Sequence, residues 1–221
     1  MTTDVILFDL DGTLTDPAAG ITRSVAHALE KRGILVTDYR ELYPFIGPPL
    51  IDSFIRFYGF THADAVRAVQ DYREYYAVRG IFENEVYPGI PELLAQLKAA
   101  GKTVAMATSK PEPYARQIAE HFGLSPYFDF IGGSRMDESR VKKAEVIAYI
   151  LKELNRTPDR VTMVGDRSYD VVGAHVLSIP CIGVTYGYGS EAELREAEAD
   201  ALADSPQSLL RLLLETPSHI R

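Results

Sequence analysis

Two carboxylates stand directly after an apolar run near the start of the chain. The run Val5-Ile-Leu-Phe leads into Asp9-Leu10-Asp11, and Gly12 follows at once. Side chains two apart on an extended segment share a face, so Asp9 and Asp11 are expected to project together from the carboxyl end of a strand, where open α/β sheets bind ligands. Such neighbours repel each other unless they share a proton or hold a hard cation such as Mg²⁺. The alternative is a solvated Asp-Gly turn after an ordinary strand.

A second apolar run, Val104-Ala-Met-Ala, ends in two hydroxyl side chains, Thr108 and Ser109. Thr108 and the main-chain N–H of Ser109 could bind phosphate oxygens at this strand end. Capping of a helix that starts near Pro111 explains the same residues. The two roles are compatible, so both stay open.

Two adjacent lysines, Lys142 and Lys143, precede the helical pattern Ala-Glu-Val-Ile. A cation at a helix N-terminus is unfavourable unless an anion lies nearby, because that end of the helix dipole is positive. The position therefore indicates a lysine that meets an anionic group.

A further pair of carboxylates, Asp166 and Asp170, follows the apolar run Val161-Thr-Met-Val and Gly165. On the first turn of a following helix they would lie on one face, where the dipole favours both. Together with Asp9 and the main-chain carbonyl of Asp11 they predict an oxygen-rich site suited to Mg²⁺. Helix capping would explain one of these aspartates, not both.

The elements that must hold these residues alternate between strand and helix. Continuously apolar strands separated by helices of period 3.6 predict a doubly wound parallel α/β sheet that is covered on both faces. Strands are expected at Val5–Leu10, Thr103–Thr108, Phe128–Ile131, Val161–Val164 and Cys181–Thr185, with a weak sixth near Asp200–Ala203. Helical stripes begin at Ile90, Ala115 and Val146.

One long segment interrupts this alternation. Residues 17–86 contain no convincing strand and carry three apolar stripes, which start at Ile21, Leu50 and Val66. We interpret the segment as an inserted α-helical domain, so residues 1–16 and 87–221 form the α/β core.

The run Asp9-Leu-Asp-Gly-Thr-Leu-Thr-Asp16 resembles the first motif of the haloacid dehalogenase superfamily, and the sites at Thr108, Lys143 and Asp166 match the later motifs in order. The resemblance implies a phosphatase in which Asp9 is the nucleophile, Asp11 the general acid and base, and Asp9, Asp11, Asp166 and Asp170 surround Mg²⁺. Lys143 is the better match for the lysine beside the phosphoryl group, although the proline that often follows it is absent. Thr108 and the amides of Leu10 and Ser109 would be phosphate donors. The helical insertion is similar to the cap of phosphatases of the phosphoglycolate phosphatase type.

The expected reaction is hydrolysis of a small phosphomonoester such as phosphoglycolate, with a 5′-nucleotidase or a sugar phosphomutase as the alternative. A dehalogenase would lack the acid at position 11. A phosphonate hydrolase would need a lysine of the insertion, where the sequence offers Lys31 alone. A signalling receiver is about half this length, and an inactive binding module would not keep every motif.

Substrate recognition is predicted from weaker signals. Gly47-Pro-Pro-Leu50 and the loop Tyr186-Gly-Tyr-Gly-Ser190 resemble segments of phosphoglycolate phosphatases and small 5′-nucleotidases. Arg73, or Arg23, could bind a substrate carboxylate. The alternatives are a helix entry at Gly47, a plain connector at 186–190 and a solvated helix face at Arg73.

Charge and composition limit the classes of molecule that the protein is expected to bind. The 221 residues carry 31 Asp and Glu against 23 Lys and Arg, a net charge of −8, which disfavours nucleic acid and anionic membranes. The apolar run at 5–8 is too short for a secretory signal, and the single cysteine, Cys181, cannot form an internal disulfide, so a cytoplasmic location is expected. The expected partner is a small phosphorylated metabolite, bound by a monomer or homodimer.

Overall fold

A computed structural model describes residues 3–137 and 139–214 of the chain. The chain folds into two compact units, one of Asp16–Glu85 and one of Met1–Thr15 with Val86–Arg221. No helix among the described residues combines the length and the hydropathy that crossing a membrane requires.

The strands lie mostly in the larger unit. They are β1 (Val5–Phe8), β2 (Thr15–Asp16), β3 (Glu85–Val86), β4 (Thr103–Pro111), β5 (Phe130–Ser134), β6 (Val161–Gly165), β7 (Cys181–Val184) and β8 (Ala201–Ala203). The helices are α1 (Ala18–Glu30), α2 (Leu50–Tyr58), α3 (His62–Tyr75), α4 (Ile90–Ala99), α5 (Glu112–His121), α6 (Lys143–Glu153), α7 (Ser168–His175), α8 (Glu191–Glu196) and α9 (Pro206–Leu214).

Six strands form one parallel sheet in the order β5-β4-β1-β6-β7-β8. The prediction of a doubly wound α/β fold is confirmed, including the short sixth strand. β1 lies at the centre, paired with β4 and β6 along its whole length. Because parallel strands end at one edge, the segments after β1, β4 and β6 emerge side by side.

Both faces of the sheet are buried. Alternate residues such as Val5, Leu7 and Met163 pack against Ile147 and Val171, which belong to α6 and α7. The side chains between them along β1, Ile6 and Phe8, are fully buried as well. This burial on two faces accounts for continuously apolar strands, in which a period of two is not visible.

β5 starts two residues later and ends three residues later than predicted, and β4 runs three residues past its predicted end. Its ladder with β5 is regular up to Ala107, which is paired with Gly132, and resumes only where Pro111 pairs with Ser134. The strand therefore continues past Thr108, but with a register shift that takes residues 108–110 out of the regular ladder. Such irregularities re-aim side chains and are common beside functional sites.

The unit Asp16–Glu85 contains α1, α2 and α3 and two shorter turns of helix. Residues 39–45 form a 3-10 helix and residues 76–80 a π-helical turn after α3. The sequence stripes did not predict either turn, because neither follows a period of 3.6. The helical spacing of Leu50, Phe54 and Phe57 predicts a buried Phe57, but this residue is 41% exposed, and its ring lies tilted against that of Phe45.

Candidate active site

The turn after β1 brings Asp9 and Asp11 to the carboxyl edge of the sheet. The N–H of Asp9 donates to the carbonyl of Val164, so Asp9 still follows the central ladder. The Leu10 carbonyl then accepts hydrogen bonds from the N–H groups of residues 13, 14 and 15. Both residues are buried: Asp9 is 6% exposed and Asp11 is 8% exposed. A tight turn therefore fixes two carboxylates at the end of the most central strand.

Gly12 allows this turn to lie against the segment after β6. Its φ of +85° is favourable only for glycine, and a Cβ atom there would overlap the carboxylate of Asp166. The Asp-Gly pair is thus more than a solvated turn, because Asp166 occupies the space where a side chain would stand.

Lys143 lies buried between two carboxylates. Its Nζ is 2.9 Å from Asp9 Oδ1 and 2.8 Å from Asp170 Oδ1, and it donates to the carbonyl of Ala107 at 2.8 Å. Burial opposes the charged form, but the two carboxylates outweigh it and raise the pKa of Lys143. Lys142, by contrast, is exposed at the N-cap of α6. The anion that a lysine at this helix start requires is therefore provided by Asp9 and Asp170.

Three of the predicted metal ligands come together. Asp9, Asp166 and Asp170 are buried, and each offers a ligand atom within 4.8 Å of the others. Burial, reinforced by the neighbouring Asp170 and Asp9, holds the pKa of Asp166 well above its usual range. Burial also raises the pKa of Asp170 to about 6, against the opposing effect of Lys143. A single lysine does not balance three carboxylates, and a hard divalent cation fits this group.

Asp11 lies outside that triad and has a lysine of its own. Its Oδ2 is 2.8 Å from Nζ of Lys110, and the two side chains are 11% and 6% exposed. Burial raises the pKa of Asp11, while Lys110 acts in the opposite direction. The expectation that Asp11 is a metal ligand therefore rests on its main-chain carbonyl, as its carboxylate is paired elsewhere.

Lys110 is the residue that sequence reasoning missed. It stood in the Thr108-Ser109-Lys-Pro run, but no local signal showed that its side chain would reach Asp11, almost a hundred residues earlier. A cation two residues after a candidate phosphate-binding hydroxyl was the available signal.

Thr108 is buried at 2% exposure, and its hydroxyl accepts a hydrogen bond from the N–H of Lys110 at 3.2 Å. The N-cap of α5 is Pro111, with no capping hydrogen bond from a side chain. Capping of α5 is therefore not the role of Thr108 or Ser109. Ser109 is half-buried and Leu10 fully buried, so any role for them in binding depends on their main-chain N–H groups.

The remaining candidates lie in the other unit. Gly47 has a φ of +104°, and Arg73 is half-buried in the last turn of α3. Arg23 is already engaged, 2.7 Å from Glu83. Lys31 pairs with Asp71 and Glu74, so a free amine for Schiff-base chemistry is not found at that position.

Comparison with known proteins shows the family to which the chain belongs. The family model for haloacid dehalogenase-like hydrolases matches residues 6–184. A 5′-nucleotidase of Pseudomonas aeruginosa is 50% identical over 86% of each chain, and a phosphoglycolate phosphatase of Agrobacterium fabrum is 31% identical over 95% of this chain and 91% of its own. Tyrosine-protein kinase PtkA of Mycobacterium tuberculosis is 43% identical over 84% of this chain, a match that spans 63% of the kinase.

Solved structures show the same relationship. The crystal structure of a predicted phosphatase from Clostridium acetobutylicum superposes with a TM-score of 0.95 at 46% identity, covering 98% of this chain and all of that one. Sequence and fold agree over nearly the whole length. The chain belongs to the haloacid dehalogenase-like hydrolases and is a phosphatase of that family.

Proposed function

We propose that this phosphatase hydrolyses a small phosphomonoester in two steps, through a phosphorylated Asp9, and that it depends on Mg²⁺. The observation that carries the proposal is the arrangement around Asp9. A buried carboxylate after the central strand lies against Lys143 and within reach of two further aspartates.

The charges of the site support a divalent cation. When the carboxylates of Asp9, Asp166 and Asp170 are ionised, the single charge of Lys143 leaves two negative charges in a buried site. Asp9, Asp166, Asp170 and the carbonyl of Asp11 would hold Mg²⁺. When bound, the ion would offset negative charge on the phosphoryl oxygens.

In the first step the Asp9 carboxylate attacks phosphorus, and the bond from phosphorus to the ester oxygen breaks. Asp11 gives its proton to the departing alkoxide. The raised pKa of Asp11, caused by burial, favours the protonated form that this role needs. Lys110 would keep the carboxyl group in place, since it bonds Oδ2.

In the second step Asp11, now a carboxylate, takes a proton from water. The water oxygen attacks the phosphorus of the acyl phosphate, and inorganic phosphate leaves as the Asp9 carboxylate is restored. One residue thus acts as acid and then as base, and the proton balance closes within each turnover.

Lys143, Thr108 and the N–H groups of Leu10 and Ser109 would bind the phosphoryl oxygens as charge develops on them. Lys143 suits this role because it is buried, charged and directly beside Asp9. Removing such a preorganised donor typically costs about 10²–10³ in rate.

For the substrate we propose nucleoside 5′-monophosphates first and phosphoglycolate second. The sequence motifs alone favoured the reverse order. The 50% identity to a protein named 5′-nucleotidase, against 31% to one named phosphoglycolate phosphatase, supports the change. Gly47 and Arg73 remain proposed substrate contacts.

A panel of phosphomonoesters tests the proposal. Wild type should release phosphate from nucleoside monophosphates with Mg²⁺ and lose this activity in excess chelator, and Asp9→Asn should be inactive under both conditions. A kcat/KM at least tenfold higher for phosphoglycolate, about 1.4 kcal/mol of transition-state binding, would restore the original substrate order. Isomerisation of a sugar phosphate without release of phosphate would show a mutase instead.

A further inference from the structure

We infer that residues 186–193, the segment between β7 and the middle of α8, form a clasp that orients the carboxylates of Asp166 and Asp170 and thereby sets the cation affinity of the triad. The inference rests on the proposed metal site and deepens it. The residues of this clasp are positioning residues, because they act through Asp166 and Asp170.

The clasp contacts the Asp166 carboxylate directly. The main-chain N–H of Tyr188 donates to Asp166 Oδ2 at 2.7 Å, and the hydroxyl of Thr13 approaches Oδ1 at 3.4 Å. Asp166 is fully buried, so its carboxylate depends on hydrogen bonds from protein donors such as these. Because the Tyr188 donor is a main-chain group, this hydrogen bond depends on the path of the backbone through residues 186–189.

Two glycines make this path possible. A Cβ atom on Gly187 would overlap the carbonyl oxygen of Gly12 and the side chain of Asp166. A Cβ atom on Gly189 would overlap the carbonyl oxygen of Asp166 itself. Main-chain atoms cannot move aside as the tip of a flexible side chain can, so any larger residue would push the segment away from Asp166.

Tyr186 anchors the start of the segment. Its hydroxyl donates to the carbonyl of Thr13 at 3.0 Å, and its ring packs edge-on against Tyr87. The clasp is thus tied to the turn after β1 as well as to Asp166. The turn after β1 carries Asp9 and Asp11. The clasp therefore connects the proposed nucleophile, Asp9, with the proposed metal ligand Asp166.

Glu193 holds the other end. Its Oε1 accepts three hydrogen bonds, from Arg167 Nε at 3.0 Å and from the N–H and hydroxyl of Ser168 at 2.9 Å each. The N–H of Arg167 in turn donates to Asp170 Oδ2 at 3.1 Å. Glu193 therefore fixes the two residues that lead from Asp166 into the first turn of α7, where Asp170 stands.

A plain connector between a strand and a helix would need none of these contacts. It would leave Glu193 in solvent and would accept a side chain at 187 or 189. Groups that orient metal ligands typically change metal affinity by about 10- to 100-fold when removed. Loss of the clasp should therefore appear in metal binding itself, apart from catalysis.

The test measures Mn²⁺ binding to the whole protein without substrate, by the electron paramagnetic resonance signal of the free ion. Glu193→Ala and Gly189→Ala should raise the dissociation constant about 10- to 100-fold. Glu193→Gln, which keeps an oxygen acceptor, should recover most of the affinity. Glu191→Ala is the matched control, because Glu191 lies on the same short helix and contacts Arg195 rather than α7.

The outcomes separate the clasp from the metal site. If wild type and Asp166→Asn bind Mn²⁺ equally poorly, the proposed metal site fails and the clasp with it. If wild type binds and Glu193→Ala stays within twofold of it, the metal site stands and the clasp is wrong. Should Gly189→Ala fail to fold, the Glu193 pair still decides the question, and equal losses in Glu191→Ala and Glu193→Ala would also overturn the inference.

Discussion

Two buried groups of lysine and carboxylate side chains lie at the same edge of the sheet. They differ in the balance of positive and negative charge. Lys110 pairs with the carboxylate of Asp11. Lys143 faces two, those of Asp9 and Asp170, and Asp166 joins that group without adding a lysine. When every group is ionised, the first group is neutral, whereas the three carboxylates of the second exceed the charge of Lys143 by two.

The two groups stay buried in different ways. A charge taken out of water is tolerated when a partner and further hydrogen bonds compensate it. In the pair of Lys110 and Asp11, the charge of the lysine compensates that of the carboxylate, which suits a residue that must exchange a proton. The carboxylates of Asp9, Asp166 and Asp170 have too little positive charge beside them, which suits a site that binds a cation from solution.

Removing the lysine of the unbalanced group should have the largest effect. Lys143→Ala leaves two buried carboxylates without their cation, so we expect loss of turnover by at least about 10²-fold and a free energy of unfolding lower by about 3–5 kcal/mol. Kinetics and urea unfolding measure the two effects. Lys142→Ala is the control and should change neither, since its side chain is exposed; the reverse order of the two variants would contradict the assignment.

Removing the acid of the balanced pair should slow the chemistry and leave metal binding in place. Asp11→Asn should slow turnover by about 10²–10⁴, because the alkoxide then leaves without its proton. Mn²⁺ affinity should stay within a few-fold of wild type, since the proposed ligand there is the main-chain carbonyl. A large loss of metal binding in this variant would show that the Asp11 carboxylate belongs to the metal site after all.

Adding a cation should stabilise the unbalanced group. At a Mg²⁺ concentration of about 100 times its dissociation constant, the free energy of unfolding should rise by about 2.7 kcal/mol. Thermal unfolding with and without chelator measures the shift, and Asp166→Asn should abolish it. An unfolding midpoint that does not change with Mg²⁺ would argue against the site. In kinetic assays, Ca²⁺ should support turnover poorly, because its coordination is larger and looser.

A third lysine–aspartate pair shows what burial adds. Lys98 and Asp129 are 31% and 39% exposed, and the N–H of Val104 also donates to Asp129 at 2.8 Å. Burial raises the pKa of Asp129, but Lys98 and that N–H outweigh it and leave the pKa lowered. Asp129→Asn should therefore destabilise the protein by only about 0.2–1 kcal/mol at neutral pH.

The pH dependence of that small effect has a definite sign. A carboxyl group with a lowered folded-state pKa stabilises the fold above its unfolded-state pKa of about 3.9, and this contribution is lost as pH falls through the folded-state value. The gap between wild type and Asp129→Asn should shrink when unfolding is measured near pH 3. A gap that widens in acid would contradict the assigned contacts.

Local signals in the sequence were the most predictive. The apolar runs predicted all six strands of the main sheet, because strands buried on two faces stand out from amphipathic helices. They did not predict the register shift in β4, which depends on β5, or the π-helical turn at 76–80. Periodicity carries no information about such departures.

At the candidate site, prediction from the sequence failed for contacts between residues that are far apart along the chain. The spacing of Asp166 and Asp170 suggested a shared face, but the contact of Lys110 with Asp11 and that of Glu193 with Ser168 join segments far apart in sequence. Only tertiary structure brings them together. The catalytic and metal-binding roles of all these residues remain predictions.

Trapping phosphate on Asp9 is the most direct test of the mechanism. Wild type incubated with substrate and Mg²⁺, quenched in acid and reduced with borohydride should yield a peptide in which Asp9 has become homoserine, because borohydride reduces an acyl phosphate and leaves a free carboxylate unchanged. Asp11→Asn should give the same product in greater amount if its second step is slowed more than its first, and Asp9→Asn should give none. Rapid turnover with no modification at Asp9, or with modification at Asp11 instead, would contradict the mechanism.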